Sequence, residues 1–135
     1  MRPTIVGPMR VMVVGSGGVG TAMAMAARRR ECFESVVLTD IDGARARTAA
    51  ERSGDPRIRG VALDAGDVAA IVELARHERA DAIVNACDPR LNPPIFAAAA
   101  EAGCHYLDMA MTLSEPHPER PYEEPGVMQI GRAHV

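Results

Sequence analysis

Gly15-Ser16-Gly17-Gly18-Val19-Gly20 lies between two segments of different character. Before it, the apolar and β-branched run at residues 10–14 predicts a buried parallel strand. After it, residues 21–30 are rich in Ala and Met and contain neither Gly nor Pro, which predicts a helix. A G-x-G-x-x-G motif between a strand and a helix is typical of a loop that binds the pyrophosphate of a dinucleotide.

Each glycine of this motif has its own physical role. Gly15 permits the tight turn, Gly17 lets the backbone approach a pyrophosphate, and Gly20 allows close packing of helix and strand. The helix directs free N–H groups and the positive end of its dipole at the phosphates. A plain turn between strand and helix would explain Gly15 and not three glycines at this spacing. We therefore predict that the cofactor contacts Gly15, Ser16, Gly17, Gly18, Val19 and Gly20.

A second apolar run, at residues 35–39, predicts the next strand, and it ends at Asp40, 20 residues after Gly20. An acidic side chain at this distance accepts hydrogen bonds from the ribose hydroxyls of the adenosine. Ile41 follows at the same edge and is included in the predicted site. Because a 2′-phosphate would meet the negative charge of Asp40, the sequence predicts NAD in preference to NADP. NADP stays possible, since Arg45 and Arg47 would weaken this preference if they reached the phosphate.

Strand and helix patterns alternate along the rest of the chain. Predicted strands cover residues 59–63, 81–85 and 105–108, and predicted helices cover residues 43–52, 68–77 and 93–102. This alternation predicts an α/β fold with a doubly wound parallel sheet of the Rossmann type, right-handed crossovers and strand order 3-2-1-4-5. The cofactor is expected across the carboxyl ends of the strands, where the first and fourth strands separate. The sixth strand of the complete pattern is missing.

Two further strand ends supply candidate contacts. Asp64 and Ala65 follow the third predicted strand, where a side chain comes to lie beside the adenine. Asp64 could instead cap the next helix, a role that Asp67 could fill alone. Asn85 and Ala86 end the fourth strand beside the switch point and are predicted to contact the ribose on the nicotinamide side. Asn85 could also serve only as a turn former.

The composition excludes several classes of function. At 135 residues the chain can form one domain with its own core. A net charge of −3 without a long basic run argues against nucleic acid and anionic membranes as partners. No apolar stretch approaches the roughly 20 residues that span a bilayer, and no signal-peptide pattern is present. Cys32, Cys87 and Cys104 lack CxxC spacing, which predicts reduced thiols, a cytoplasmic location and no metal site.

The two ends of the chain differ in character from residues 9–110, which form the predicted cofactor domain. Residues 1–8 hold two prolines and a glycine and are predicted to be a loose leader. Residues 111–135 are predicted to be a linker or unsupported tail, because four prolines interrupt any periodic pattern there. Residues 130–135 match what a common sequencing adapter encodes in one frame. We expect these last residues to be artefactual and the chain to be truncated.

Several stretches together resemble the N-terminal NAD(P)-binding domain of the saccharopine dehydrogenase-like family. The resemblance covers about residues 9 to 127, and Glu-Ala-Gly-Cys-His-Tyr-Leu-Asp at residues 101–108 is its most specific part. The other stretches are the glycine motif and residues 40–42, 63–65, 83–86 and 111–118.

The family resemblance implies an oxidoreductase in which NAD(P) passes hydride to or from a carbon–nitrogen centre of an amino-acid-like substrate. It also implies a larger substrate domain, so this chain is expected to bind cofactor weakly and to be inactive. Catalytic residues are not assigned, because they would belong to that domain. Tyr106 and Asp108 could place substrate, although an ordinary strand end is the simpler interpretation.

Two other classes of function stay open. A Rossmann regulatory module of potassium transport systems would sense NAD(H) without catalysis, and the pattern at residues 101–108 argues against it. A dimerisation domain with a vestigial glycine motif is the other alternative. A homodimer is possible, because the absence of the substrate domain would uncover the side of the sheet at the fifth strand.

Overall fold

The computed structural model describes residues 7–109, 113–115, 119–120 and 127–128. Strands and helices alternate through the first of these ranges. The strands are β1 (Met9–Val14), β2 (Phe33–Asp40), β3 (Ile58–Ala62), β4 (Ala82–Asn85) and β5 (His105–Asp108). The helices are α1 (Gly18–Ala27), α2 (Gly43–Ser53), α3 (Val68–His77) and α4 (Asn92–Ala102), and a single 3-10 turn covers Pro89–Leu91.

The five strands form one parallel sheet in the order β3-β2-β1-β4-β5. β1 is the central strand, and its Val13 lies between Leu38 of β2 and Val84 of β4. Strands β2 and β3 therefore lie on one side of β1, and β4 and β5 lie on the other side. Both the α/β fold class and the strand order predicted from the sequence are confirmed.

Side chains of β1 alternate between two apolar cores, one on each face of the sheet. Val11 and Val13 pack on the face covered by α1 and α2. Met12 and Val14 pack on the face covered by α3 and α4. Because successive strand residues point to opposite faces, a strand buried on both sides needs a continuous apolar run. This requirement explains why residues 11–14 of β1 are all Val or Met.

Helix α1 differs from the sequence prediction at both ends. It begins at Gly18 instead of residue 21, so two glycines of the motif are helical. It ends at Ala27, and Arg28 is already its C-cap. The arginines at residues 28–30, which were predicted to belong to the helix, therefore follow it. The Arg30 N–H donates to the carbonyl oxygen of Ala27, three residues earlier, at 3.0 Å. This bond ends the series of hydrogen bonds between residues four apart that defines the α-helix.

Two short segments of the predicted linker or tail form strands. β6 (Leu113–Glu115) and β7 (Val127–Met128) pair as an antiparallel ladder separate from the main sheet. The four prolines of this region lie between the two segments, so they remove no N–H group from either strand. The rest of residues 110–135, including the expected artefactual end, lies outside the described residues, as does most of the predicted leader. Within the described ranges, no helix has the length and apolar character that a membrane span requires.

Candidate cofactor site

The loops after β1, β2, β3 and β4 meet at the carboxyl edge of the sheet. The Gly15 N–H donates to the Thr39 carbonyl oxygen at 3.0 Å, and the Ala86 N–H donates to the Val14 carbonyl oxygen at 2.8 Å. On the outer side, the Leu63 N–H donates to the Asp40 carbonyl oxygen at 2.8 Å. These bonds bring the four predicted groups of site residues to one edge, at the switch point between β1 and β4.

Gly15 and Gly20 are required by close contacts within the protein. Gly15 has φ +102°, and a Cβ built on it would lie 2.9 Å from Cys87 Sγ and 3.1 Å from the Ala86 carbonyl oxygen. A Cβ on Gly20 would overlap the carbonyl oxygen of Gly15. Any side chain at Gly20 would thus push α1 away from the turn that ends β1. The tight turn and the close packing predicted for these two glycines are both present.

Gly17 and Gly18 are exposed, and the space around them is open. No atom outside their own chain neighbourhood lies within 4 Å of a Cβ built on either residue. Gly17 is the N-cap of α1, and no side chain caps the helix or places an acidic group in its first turn. The first N–H groups of a helix have no partner within it, so they are available to an anion. This arrangement fits the pyrophosphate of a dinucleotide.

The Asp40 carboxylate is buried and fully engaged with the protein. Its Oδ2 accepts from Ser16 Oγ at 2.9 Å and from Arg45 Nε and Nη2 at 3.0 and 2.7 Å. Its Oδ1 accepts from the Asp42 N–H at 3.0 Å. Burial alone would raise the pKa of Asp40, but these hydrogen bonds from Asp42, Arg45 and Ser16 hold the pKa below its ordinary value. Asp40 is therefore ionised at neutral pH, and its charge is paired with Arg45.

Two large apolar side chains are exposed beside these polar groups. Ile41 is 76% exposed and directly follows Asp40, and Val19 is 47% exposed in the first turn of α1. Leu107 and Met109, at the end of β5, are exposed as well. Apolar side chains that converge with a few polar groups are typical of nucleotide pockets. Contact of Ile41 and Val19 with the cofactor stays a prediction.

Asp64 and Asp67 have separate local roles. Asp67 is the N-cap of α3 and accepts from the Ala70 N–H at 3.1 Å. Asp64 Oδ1 accepts from the Gly66 N–H at 2.9 Å within the loop after β3. Helix α3 is therefore capped without Asp64, whose exposed side chain lies on the loop with half-buried Ala65. Contact of this pair with adenine stays a prediction.

Asn85 is tied into a buried polar network. Its Nδ2 donates to Asn92 Oδ1 at 2.6 Å and to Tyr106 Oη at 3.3 Å, and its Oδ1 accepts from the Cys87 N–H at 2.8 Å. The residue is 1% exposed. Both donors and one acceptor site of the amide are thus used in joining β4 to α4 and β5. The sequence offered no signal for this network, because Asn85, Asn92 and Tyr106 belong to three different elements whose packing brings them together.

Tyr106 is expected to ionise only in strongly alkaline solution. Burial raises the pKa of its hydroxyl to about 12, the hydrogen bond from Asn85 opposes the rise, and Asp108 adds to it. The pKa of Tyr106 in the folded protein thus lies above the ordinary value of 10.0. The stability contributed by the neutral hydroxyl is therefore complete below pH 10.0 and is lost as the pH rises through about 12. Ultraviolet titration of a Tyr122→Phe variant, which leaves one tyrosine, measures the midpoint. A midpoint near the ordinary value would contradict the buried environment.

A large apolar groove lies elsewhere, on the α1 face of the sheet beside β4 and β5. Its volume is about 1010 Å³, and no residue of the predicted cofactor site lines it. Its walls include Met23, Phe33, Val84 and Leu107. Met23 packs against the apolar core of that face. Among the described residues, no three His, Cys, Asp or Glu side chains come together as a metal site would need.

Residues 11–129 match the family described as the saccharopine dehydrogenase NADP binding domain. The chain belongs to this family. The resemblance inferred from the glycine motif and residues 101–108 is thereby confirmed. The chain is an NAD(P)-binding domain of the saccharopine dehydrogenase-like oxidoreductases, and the dinucleotide predicted as its cofactor agrees with the family.

Two curated proteins illustrate the relationship of this saccharopine dehydrogenase NADP binding domain to longer proteins. Carboxyaminopropylagmatine dehydrogenase from Synechocystis sp. is 35% identical over 101 residues, which cover 75% of this chain and 25% of that protein. Phosphoribosylamine–glycine ligase from Allochromatium vinosum is 34% identical over 95 residues, which cover 70% of this chain and 21% of that protein. This chain spans about a quarter or less of the length of these relatives. The second name describes a ligase, so the shared domain does not fix one reaction.

A solved structure shows the same fold. The apo saccharopine dehydrogenase (L-Glu forming) from Saccharomyces cerevisiae aligns with a TM-score of 0.69 at 17% identity. The alignment covers 78% of this chain and 22% of that chain. At this identity the likeness establishes the arrangement of strands and helices and leaves the substrate open.

Proposed function

We propose that this domain binds NAD(P) across the carboxyl edge of its sheet and orients it for hydride transfer at a carbon–nitrogen centre of an amino-acid-like substrate. The observation that carries the proposal is the uncapped N-terminus of α1 behind the open backbone of Gly17 and Gly18. The pyrophosphate is anionic, and at this helix start backbone N–H groups and the positive end of the helix dipole together favour an anion. Family membership supports the same function.

Different residues around this loop would contact different parts of the cofactor. Gly17 and Gly18 receive the pyrophosphate, and Ile41 offers an apolar surface to the adenine. Asn85 is engaged within the protein, so contacts from the end of β4 come from its backbone and from that of Ala86. When bound, NAD(P) supplies or accepts the hydride. The role of this chain is therefore to place the nicotinamide beside the ends of β4 and β5.

The groups that hold the substrate and move its protons are proposed to belong to other parts of a longer parent protein. Both curated relatives are about four times as long as the matched region or longer. Hydride transfer also needs a cleft that excludes water, and the cofactor edge described here is open to solvent at Gly17, Gly18 and Ile41. We propose that the chain alone binds cofactor without turnover. Association of two copies and a cytoplasmic location stay predictions.

Titration of the chain with NADPH and NADH, followed by their fluorescence, tests the proposed function. We expect saturable binding at a single site and no oxidation of the bound cofactor when amino-acid and keto-acid substrates are added. Addition of excess NADP or NAD should displace the reduced cofactor, which excludes nonspecific adsorption. Absence of saturable binding by both cofactors would contradict the proposal, and turnover would contradict the proposed inactivity of the chain.

A further inference from the structure

The turn that follows β4 packs directly on the glycine turn that ends β1. The Ala86 N–H and Cys87 Sγ both donate to the Val14 carbonyl oxygen, at 2.8 and 3.2 Å. A Cβ built on Gly15 would lie 3.1 Å from the Ala86 carbonyl oxygen, so no side chain separates the two turns. The backbone of Ala86 and Cys87 therefore forms one wall of the carboxyl edge, the β4 wall.

The amide of Asn85 holds the β4 wall from inside the protein. Its Oδ1 accepts from the Cys87 N–H at 2.8 Å. An amide side chain has its acceptor on one branch and its donors on the other, so Oδ1 faces Cys87 while Nδ2 is held by acceptors elsewhere. The nearer acceptor is Asn92 Oδ1, at 2.6 Å from Nδ2, and the farther is Tyr106 Oη, at 3.3 Å. The orientation of Asn85 that supports the β4 wall thus depends chiefly on Asn92.

Asn92 is fixed in place by the helix that it begins. It is the first residue of α4 and is 4% exposed. Ile95, one turn further along α4, is fully buried in the core between this helix and the sheet. Asn85 is buried as well, so neither amide is open to a ligand from solvent. Any effect of these two asparagines on a ligand therefore passes through the β4 wall.

A displacement of the β4 wall would act on one half of the cofactor. In the proposed site the pyrophosphate lies at the first N–H groups of α1, which residues 15–20 place through contiguous backbone. The β4 wall is held separately, through Asn85 and Asn92. The nicotinamide and its ribose lie beside the ends of β4 and β5 in that site. They are therefore the parts of the cofactor that the β4 wall would meet.

We propose that Asn92 is a positioning residue for the nicotinamide half of the cofactor, because it orients the Asn85 amide that holds the β4 wall. This inference rests on the proposed dinucleotide site and adds to it a residue that the ligand does not touch. Hydrogen bonds weaken steeply when their distance or angle departs from the optimum. A small displacement of the β4 wall is therefore enough to weaken its contacts with the nicotinamide and its ribose.

Calorimetric titration with NADPH and with adenosine 2′,5′-bisphosphate tests this assignment, since the bisphosphate lacks the nicotinamide and its ribose. Asn92→Ala removes the nearer acceptor of Asn85 Nδ2. We expect this variant to bind NADPH roughly tenfold more weakly and the bisphosphate as before. Asn92→Asp keeps an acceptor oxygen, and its negative charge is favoured at the start of a helix. It should restore most of the affinity for NADPH.

Ser53→Ala is the matched control for the loss of a buried hydrogen bond. Ser53 is 5% exposed at the end of α2, where its Oγ donates to the Ala50 carbonyl oxygen at 2.6 Å. We expect this variant to unfold at lower urea concentration and to keep both affinities. Asn92→Ser keeps a hydroxyl at the start of α4 that is too short to reach Asn85. It should therefore show the split of Asn92→Ala, even if the alanine variant fails to fold.

Amide chemical shifts give a second readout of the same split within one titration. When NADP is added to Asn92→Ala or Asn92→Ser, the shifts at residues 15–20 should persist. Those at residues 86–87 should shrink relative to the unchanged chain. A purely structural role of Asn92 would reduce both sets of shifts together, because it would lower the fraction of folded chain.

The outcomes separate this inference from the proposed function. If the alanine and serine variants weaken both ligands equally or neither, or if Asn92→Asp behaves as they do, Asn92 has a structural role only and the inference is overturned. If Ser53→Ala weakens NADPH and spares the bisphosphate, any lost buried hydrogen bond has this effect and the assignment of Asn92 is also overturned. If the unchanged chain binds no dinucleotide, the proposed function itself fails and this inference fails with it.

Discussion

A Gly17→Val substitution is expected to weaken dinucleotide binding by on the order of a hundredfold while the protein stays folded. Gly17 is exposed, has a negative φ of −73° that valine tolerates, and has no neighbour within 4 Å of an added Cβ. The branched side chain would occupy the space in front of the first N–H groups of α1. Calorimetry with NADP measures the binding, and urea unfolding should show a stability within about 0.5 kcal/mol of the unchanged chain.

The matched control for this substitution is Ala97→Val. Ala97 is exposed on α4, on the other face of the sheet, and receives the same valine side chain. Binding in the control should equal that of the unchanged chain. Retained affinity in a folded Gly17→Val variant would place the phosphates away from the N-terminus of α1.

Gly60→Ala is expected to reduce the free energy of unfolding by about 3 kcal/mol. Gly60 lies in β3 directly against α2, and a Cβ there would overlap the carbonyl group of Ala46 and the backbone nitrogen of Arg47. Backbone atoms of a helix cannot move aside as a flexible side chain can, so strand and helix would separate. Urea denaturation followed by circular dichroism measures the change.

Gly66→Ala, on the loop between β3 and α3, provides the comparison. A Cβ on Gly66 would lie 3.3 Å from Asp64 Oδ1, which belongs to an exposed side chain. We expect this variant to lose less than about 1 kcal/mol of stability. A loss of the same small size in Gly60→Ala would show that α2 does not rest on β3 as closely as the structure indicates.

The fold could be predicted from the sequence because each strand and helix carries a local pattern. The apolar runs of β1 and β2, the capping Asp42 and Asp67, and Gly103 after α4 are all visible in short windows. Right-handed crossovers then leave few ways to arrange five alternating units. The open glycine motif could be predicted for the same reason, since its strand, turn and helix are contiguous.

Side-chain partners between elements could not be predicted in this way. Asn85 was a candidate cofactor contact, yet its amide is used by Asn92 and Tyr106. The position of Asp40 predicted a carboxylate available to the ribose, yet this carboxylate is paired with Arg45. These contacts depend on the distances between packed elements, which residue spacing does not contain. The requirement for glycine at position 60 could not be predicted either, because it comes from the close approach of α2 to β3.

The central claim is that a dinucleotide lies across the carboxyl edge of the sheet with its pyrophosphate at α1. Amide chemical-shift mapping of the isotope-labelled chain during titration with NADP tests it most directly. We predict that the largest shifts fall in residues 15–20, 40–45 and 85–87, and that the α1-face groove around Met9 and Phe33 changes little. Saturating shifts confined to that groove, or no saturating shifts at all, would contradict the account.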